Sequence, residues 1–195
     1  PEQRIVAGMQ AVEVSESATL AVQELPAPES IEVQAIELEH TIRIVDGLIV
    51  ENSRLVLPSN ALSDKPVSVT LPSGIGSDLR WSVDGEPIAV RREEMSEETR
   101  EWRQWTLPPV SSRPGMPLVI RMESRRVASP EFIAAVPVVQ TSLAVEGSLQ
   151  LFSSDEGLLS APQLTQQSTN AASQSTVYRL PPAAVPVSVR VDQNP

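Results

Sequence analysis

Apolar and polar residues alternate one by one along much of this chain of 195 residues. Segments 19–25, 31–35 and 79–83 show the alternation, and β-branched residues are frequent among its apolar positions. Successive side chains of a strand point to opposite faces, so a period of two is typical of strands with one buried face. Turn-forming residues interrupt these segments at intervals of ~8–12 residues, which is typical of a sandwich or a barrel. The chain is therefore predicted to be all-β.

Two Asp-Gly pairs, Asp46-Gly47 and Asp84-Gly85, each lie between apolar segments. A type I′ turn needs positive φ at both central residues, so these pairs predict two β-hairpins. The predicted fold class is an antiparallel β-sandwich, either immunoglobulin-like or jelly-roll-like. Further strands are predicted at 36–39, 42–45, 48–50, 54–57, 66–71, 88–90, 102–107, 118–122, 132–139, 142–152, 176–180 and 185–191.

Three segments depart from the simple alternation. The phase flips at Ala35-Ile36, which predicts a β-bulge. Residues 91–101 are rich in glutamate without an apolar stripe, so at most one short helix is expected near 93–101, with a mobile loop as the alternative. Residues 165–176 are rich in Gln, Ser, Thr, Asn and Ala, and we expect a long exposed loop there.

Charge is distributed unevenly along the chain. The formal net charge is −8 over residues 1–64, +1 over 65–127 and −3 over 128–195. The shift near 125–130 predicts a joint between a β-sandwich module at 1–127 and a smaller β module at 128–195. A single β domain spanning 1–195 is the alternative.

Composition excludes several classes of function. The net charge of −10 disfavours nucleic acid or an anionic membrane surface as the main partner. Cysteine is absent and there is one histidine, so thiolate sites, disulfides and multi-histidine metal sites are excluded. No segment approaches ~18 consecutive apolar residues, so a membrane-spanning segment is not expected.

The sequence motifs give little support to a catalytic function. A Ser–His–acid set would have to use His40, which lies in a predicted strand without a nucleophile elbow. The glycines of segment 72–77 precede a predicted strand rather than the helix that a phosphate loop needs. The carboxylates at 37–46 and 93–98 show no sign of enclosure. We therefore predict that the chain is not an enzyme and that it has no catalytic residues, no cofactor and no metal site.

Two binding hypotheses remain as alternatives. Asp46-Gly47 and the turn Asp155-Glu156-Gly157 could supply oxygen ligands to calcium, although plain turn residues explain both better. Carbohydrate binding would use Trp81, Trp102 and Trp105. Trp102 and Trp105 would face opposite sides of one strand, so they cannot form a platform. We expect Trp81 and Trp105 in the core, and Trp102 half exposed as a contact for a protein partner.

Segments 102–109 and 117–121, followed by 135–139 and 146–151, resemble the spacing of β-sandwich regions in large, mostly uncharacterised bacterial cell-envelope proteins. The resemblance covers about residues 100–152 and transfers no functional residues. It implies stacked extracytoplasmic β-domains, in the periplasm or at the cell surface. We therefore expect a non-catalytic structural or protein-interaction region of a larger surface or membrane-anchored protein, whose partners are other protein domains or chains of the envelope. The alternative is a carbohydrate- or calcium-binding module on the same fold.

Overall fold

A computed structural model describes residues 5–6, 9–11, 22–24, 35–58, 67–75, 78–93, 102–109, 116–141, 143–182 and 185–192. Every regular element in these ranges is a β-strand, which confirms the predicted all-β class. The chain divides into two units, residues 1–31 and 32–195. The first unit contains a three-stranded antiparallel sheet of β1 (Ile5–Val6), β2 (Met9–Ala11) and β3 (Val22–Glu24).

The second unit carries the remaining described strands in three sheets. They are β4 (Ile36–Val45), β5 (Leu48–Leu57), β6 (Ser68–Pro72), β7 (Leu79–Val83), β8 (Glu86–Ile88), β9 (Arg91–Arg92), β10 (Trp102–Thr106), β11 (Leu118–Val127), β12 (Glu131–Ile133), β13 (Val138–Val139), β14 (Val145–Phe152), β15 (Leu158–Ser160), β16 (Thr165–Asn170), β17 (Ser175–Arg179) and β18 (Ser188–Asp192).

An eight-stranded sheet dominates this unit, in the order β16-β17-β14-β4-β5-β11-β7-β8. Its strands come from both sides of residue 127, where the sequence predicted a joint between modules. All its pairs are antiparallel except one, because β4 and β14 run parallel. A four-stranded sheet, β13-β6-β10-β9, and a three-stranded sheet, β12-β18-β15, complete the unit.

Both Asp-Gly pairs form the predicted hairpins. The φ angles are 53° at Asp46 and 70° at Gly47, and 48° at Asp84 and 90° at Gly85. These positive values are what a type I′ turn demands of its central residues. The first turn joins β4 to β5 and the second joins β7 to β8, so half of the strands of the eight-stranded sheet belong to these two hairpins.

One face of the eight-stranded sheet carries the core. In β4 the even-numbered residues from Ile36 to Ile44 are buried, whereas Glu37, Glu39 and Arg43 on the other face are exposed. The buried side chains of all three sheets form one hydrophobic cluster, which includes Val69 of β6 and Val189 of β18. The opposite surface, which we call the open face, carries most of the polar side chains of the sheet together with apolar ones such as Val50, Val56 and Phe152.

Several predicted elements differ from the structure. Segments 36–39 and 42–45 belong to the single strand β4, segments 48–50 and 54–57 belong to β5, and the strand predicted at 88–90 lies instead at 86–88, in β8. The single strand predicted at 132–139 is divided into β12 and β13, with an irregular segment at 134–137 that contains Pro137. The exposed loop predicted at 165–176 is instead the hairpin of β16 and β17, although every residue of β16 is indeed exposed. The helix expected near 93–101 lies outside the described residues except for Glu93. Ala35 and Ile36 are described, and β4 begins at Ile36, but the strand expected before them at 31–35 is described only at Ala35, so the bulge stays a prediction.

Candidate functional site

A shallow depression of about 1150 Å³ lies on the open face of the eight-stranded sheet. It extends from Pro87 of β8 across the central strands to Phe152 and Ser173. We call it the open depression. Apolar residues such as Leu79, Ile88 and Phe152 form part of its lining. Its polar side chains on the open face are Glu39, Thr41, Arg43, Asn52, Arg54, Arg80, Ser82, Arg121 and Glu123, with Ser153, Ser154 and Ser173 at one end.

The strand register places two arginines opposite each other in this depression. Arg54 of β5 pairs in register with Arg121 of β11, and on its other side it faces Glu39 of β4. The Arg54 guanidinium donates to the Glu39 carboxylate at 3.2 Å. Like charges directly opposite each other on adjacent strands are destabilising, so the Arg54–Arg121 pair lowers the stability of the sheet.

Both glutamates of the depression are already engaged with arginines. Glu39 accepts from Arg54, and Glu123 accepts from Arg125 at 2.8 Å. Among the described residues, no carboxylate lies within ion-pair distance of Arg43, Arg80 or Arg121. The open depression is thus a locally positive surface on a protein of net charge −10.

On the opposite, buried face of the same sheet lies a second polar constellation. The His40 Nε2 is 3.1 Å from Glu51 Oε2, and His40 Nδ1 is 2.7 Å from Ser53 Oγ. A carboxylate can only accept, so Nε2 carries the proton that His40 donates to Glu51. We call His40, Glu51, Ser53 and Arg126 the buried cluster.

Glu51 joins the eight-stranded sheet to the irregular segment that follows β12. The backbone N–H of Ala135 donates to Glu51 Oε2 at 2.6 Å, and the Arg126 guanidinium donates to Oε1. Arg126 also donates to the carbonyl of Ile133 at 2.6 Å and lies 4.4 Å above the centre of the Phe132 ring. The carboxylate therefore pairs with the charge of Arg126 and anchors segment 133–135 through Ala135.

Burial by itself raises the pKa of Glu51, since it disfavours the charged carboxylate. The hydrogen bond and the charge of His40, the charge of Arg126 and the N–H of Ala135 together lower the pKa by more than burial raises it. The net effect is a pKa below the ordinary value of 4.5. Glu51 thus remains ionised although its side chain is fully buried.

This lowered pKa predicts how stability depends on pH. A carboxyl whose pKa is lower in the folded than in the unfolded state stabilises the fold above the unfolded pKa, and this contribution is lost as pH falls through the folded pKa. The decrease in the free energy of unfolding that Glu51→Gln causes should therefore be constant at neutral pH and become progressively smaller below pH 4.5. Urea unfolding of both proteins between neutral and acidic pH measures it. A penalty that grows on acidification would contradict the assignment.

The buried cluster has the composition of a nucleophilic triad but not its accessibility. His40 and Glu51 are completely buried and Ser53 is 2% exposed. A hydroxyl nucleophile must reach a substrate carbonyl, and this one faces the core. Arg126 also holds the carboxylate in an ion pair. The arrangement is suited to joining layers of the fold.

The turns at 46–47 and 155–157, which were considered as sources of calcium ligands, are in contact through direct hydrogen bonds. The Glu156 carboxylate accepts from the backbone N–H groups of Asp46, at 3.0 Å, and Gly47, at 2.8 Å. These oxygens therefore fasten the β4–β5 turn to the turn at 154–157. Within the described ranges, no three acidic or histidine side chains gather as metal ligands.

The tryptophans lie close to their expected places. Trp81 is 4% exposed in the core, and Trp105 is partly buried against it. Trp102 is half-buried in β10, opposite Pro72 in the four-stranded sheet, and it does not line the open depression. A partner contact at Trp102 remains a prediction.

Sequence reasoning missed both the open depression and the partners of His40. Glu51 and Ser53 carried a signal, because they occupy the same face of β5 as Ile49, Leu55 and Leu57. A polar pair on an otherwise apolar face indicates buried hydrogen bonding. The arginines of the depression are far apart in the chain, and only the strand register brings them together.

None of the known protein-family models matches the chain, and no curated protein matches it. Among solved structures the chain is similar to native yeast LTA4 hydrolase, with 11% sequence identity and a TM-score of 0.40. The match covers 80% of this chain and 28% of that protein, so the chain spans less than a third of the hydrolase's length. Likeness at this level carries no argument about fold or function.

No helix in the described part of the chain is long and apolar enough to span a membrane.

Proposed function

We propose that this chain is a non-catalytic, protein-interacting β-sandwich region of a larger extracytoplasmic bacterial protein. The observation that carries the proposal is the open depression, a broad surface on one continuous sheet whose lining combines charged and neutral polar side chains with apolar residues such as Leu79, Ile88 and Phe152. Such a surface recognises a partner by complementary charge and hydrogen bonds.

The distribution of titratable groups supports a binding role. The described histidine and its carboxylate are enclosed in the core. The carboxylates of the open depression are exposed or half-buried and paired with arginine, which is not how a general acid with a raised pKa is held. The extracytoplasmic placement rests on the resemblance of segments within 100–152 to envelope proteins.

A thermal-shift screen tests this proposal against a carbohydrate- or calcium-binding module. We expect the melting temperature of the full chain to remain unchanged with calcium, with EDTA and across a panel of sugars. A ligand that binds only the folded state at a hundredfold its Kd stabilises by about 2.7 kcal/mol, which such a screen detects readily. A saturable rise with calcium or with one sugar would overturn the proposal in favour of that ligand.

The location is tested on intact cells that produce the full-length protein. Antibodies raised against this chain should detect it outside the cytoplasmic membrane, and added protease should remove the signal once the outer layers are opened. A signal that resists protease until the cytoplasmic membrane is lysed would contradict the extracytoplasmic placement.

A further inference from the structure

We propose that the open depression binds an extended acidic segment of a partner protein, whose carboxylates pair with Arg54, Arg80 and Arg121. This inference rests on the proposed function and adds the chemistry of the partner. Guanidinium groups bind carboxylates through two parallel hydrogen bonds, which makes arginine the residue suited to such recognition.

Unbalanced charge supports an anionic occupant. Four arginines and two glutamates line the depression, and both glutamates already accept from arginines. Arg121 is exposed and lies in register with Arg54, so each raises the electrostatic energy of the other. A carboxylate bound between them would relieve this repulsion.

The position of the arginines fits an elongated ligand. Arg80 lies on β7, Arg121 on β11, Arg54 on β5 and Arg43 on β4, so the positive charges follow consecutive strands across the sheet. From β8 to β14 the depression crosses five strand spacings, or ~24 Å, which an extended peptide covers with about seven residues. Because Arg54 and Arg121 lie side by side, whereas Arg80 and Arg43 lie two and four residues further along the strands, one small anion would not reach all four.

Neutral polar groups between the arginines suit a peptide backbone. Thr41 and Asn52 lie opposite each other on β4 and β5, in the same depression. Ser82 lies in register with Arg121 on β7. Hydroxyl and amide side chains can donate to and accept from peptide groups, whereas arginine can only donate.

Fluorescence anisotropy tests the proposal with a labelled oligoglutamate of about seven residues, the length that the depression accommodates. We expect saturable binding by the full chain that weakens with added salt, and no binding of an oligoglutamine of equal length. The double variant Arg54→Gln/Arg121→Gln should bind on the order of a hundredfold more weakly, since it loses two charged pairs and each contributes on the order of one factor of ten. Arg80→Gln alone should weaken binding in the same direction.

Arg190→Gln is the matched control, because Arg190 is an exposed arginine of β18, outside the depression, and its side chain is 58% exposed. It removes one positive charge, as Arg80→Gln does, and should alter binding less than about twofold if charge position matters. Circular dichroism establishes that each variant is folded, and Arg80→Gln keeps the test valid if the double variant does not fold.

Three outcomes would overturn the inference: no binding of oligoglutamate, equal weakening by Arg190→Gln, or tighter binding of a single-stranded oligothymidylate. Tighter binding of the oligothymidylate would show that the depression binds nucleic acid. These results are independent of the thermal-shift screen, in which a calcium or sugar response would overturn the proposed function instead.

Discussion

Replacing Glu51 with glutamine is expected to lower the free energy of unfolding by about 3–5 kcal/mol at neutral pH, the cost of removing one partner of a buried ion pair. Each carboxylate oxygen of Glu51 faces donors: His40 and Ala135 at Oε2, and Arg126 at Oε1. An amide has only one oxygen, so its NH₂ group would oppose a donor in either orientation. Urea denaturation of both proteins measures the difference.

Glu39→Gln is the control, because it removes the same charge from the adjacent strand β4. The Glu39 side chain is 57% exposed and its partner Arg54 is 40% exposed, so this pair contributes no more than about 1 kcal/mol. Equal losses in the two variants would show that Glu51 acts through net charge alone. A loss below about 1 kcal/mol in Glu51→Gln would show that the buried cluster does not stabilise the fold appreciably.

The parts of the fold that sequence predicts well are those determined locally. Asp46-Gly47 and Asp84-Gly85 adopt positive φ because aspartate and glycine tolerate it, and each hairpin register follows from its turn. The alternation in β4 likewise predicts its buried and exposed faces, since neighbouring side chains point to opposite sides. These features depend on residues that are close in the chain.

Sequence reasoning fails where a distant segment decides the outcome. The apolar run at 132–139 satisfies two different sheets, with Phe132 opposite Val189 and Val139 opposite Val69, so it cannot continue as one strand. β16 has no buried residue and forms because its backbone pairs with β17. In the same way, the open depression exists because β5 and β11 align Arg54 with Arg121, a register that no local pattern encodes.

Truncating Leu149 to alanine should cost about 2–5 kcal/mol of unfolding free energy, the range measured for buried leucines. Leu149 is completely buried in β14, where it lies in register with His40 on one side and Tyr178 on the other. The β14 strand is also the parallel neighbour of β4 and links the β16–β17 hairpin to the rest of the sheet. The variant therefore creates a cavity at the joint between the two parts of the sheet, and urea denaturation measures its cost.

Gln150→Ala provides the comparison, because the adjacent side chain points to the open face and is only half-buried. Its amide donates to Ser175 Oγ at 3.0 Å, a hydrogen bond that contributes about 1 kcal/mol. If β14 is an integral strand of the sheet, Leu149→Ala should be much the more destabilising and should weaken amide-exchange protection in β4 as well as in β17. A loss of protection restricted to β17 would mean that the parallel pairing contributes little, and that the sheet ends, in energetic terms, at β4.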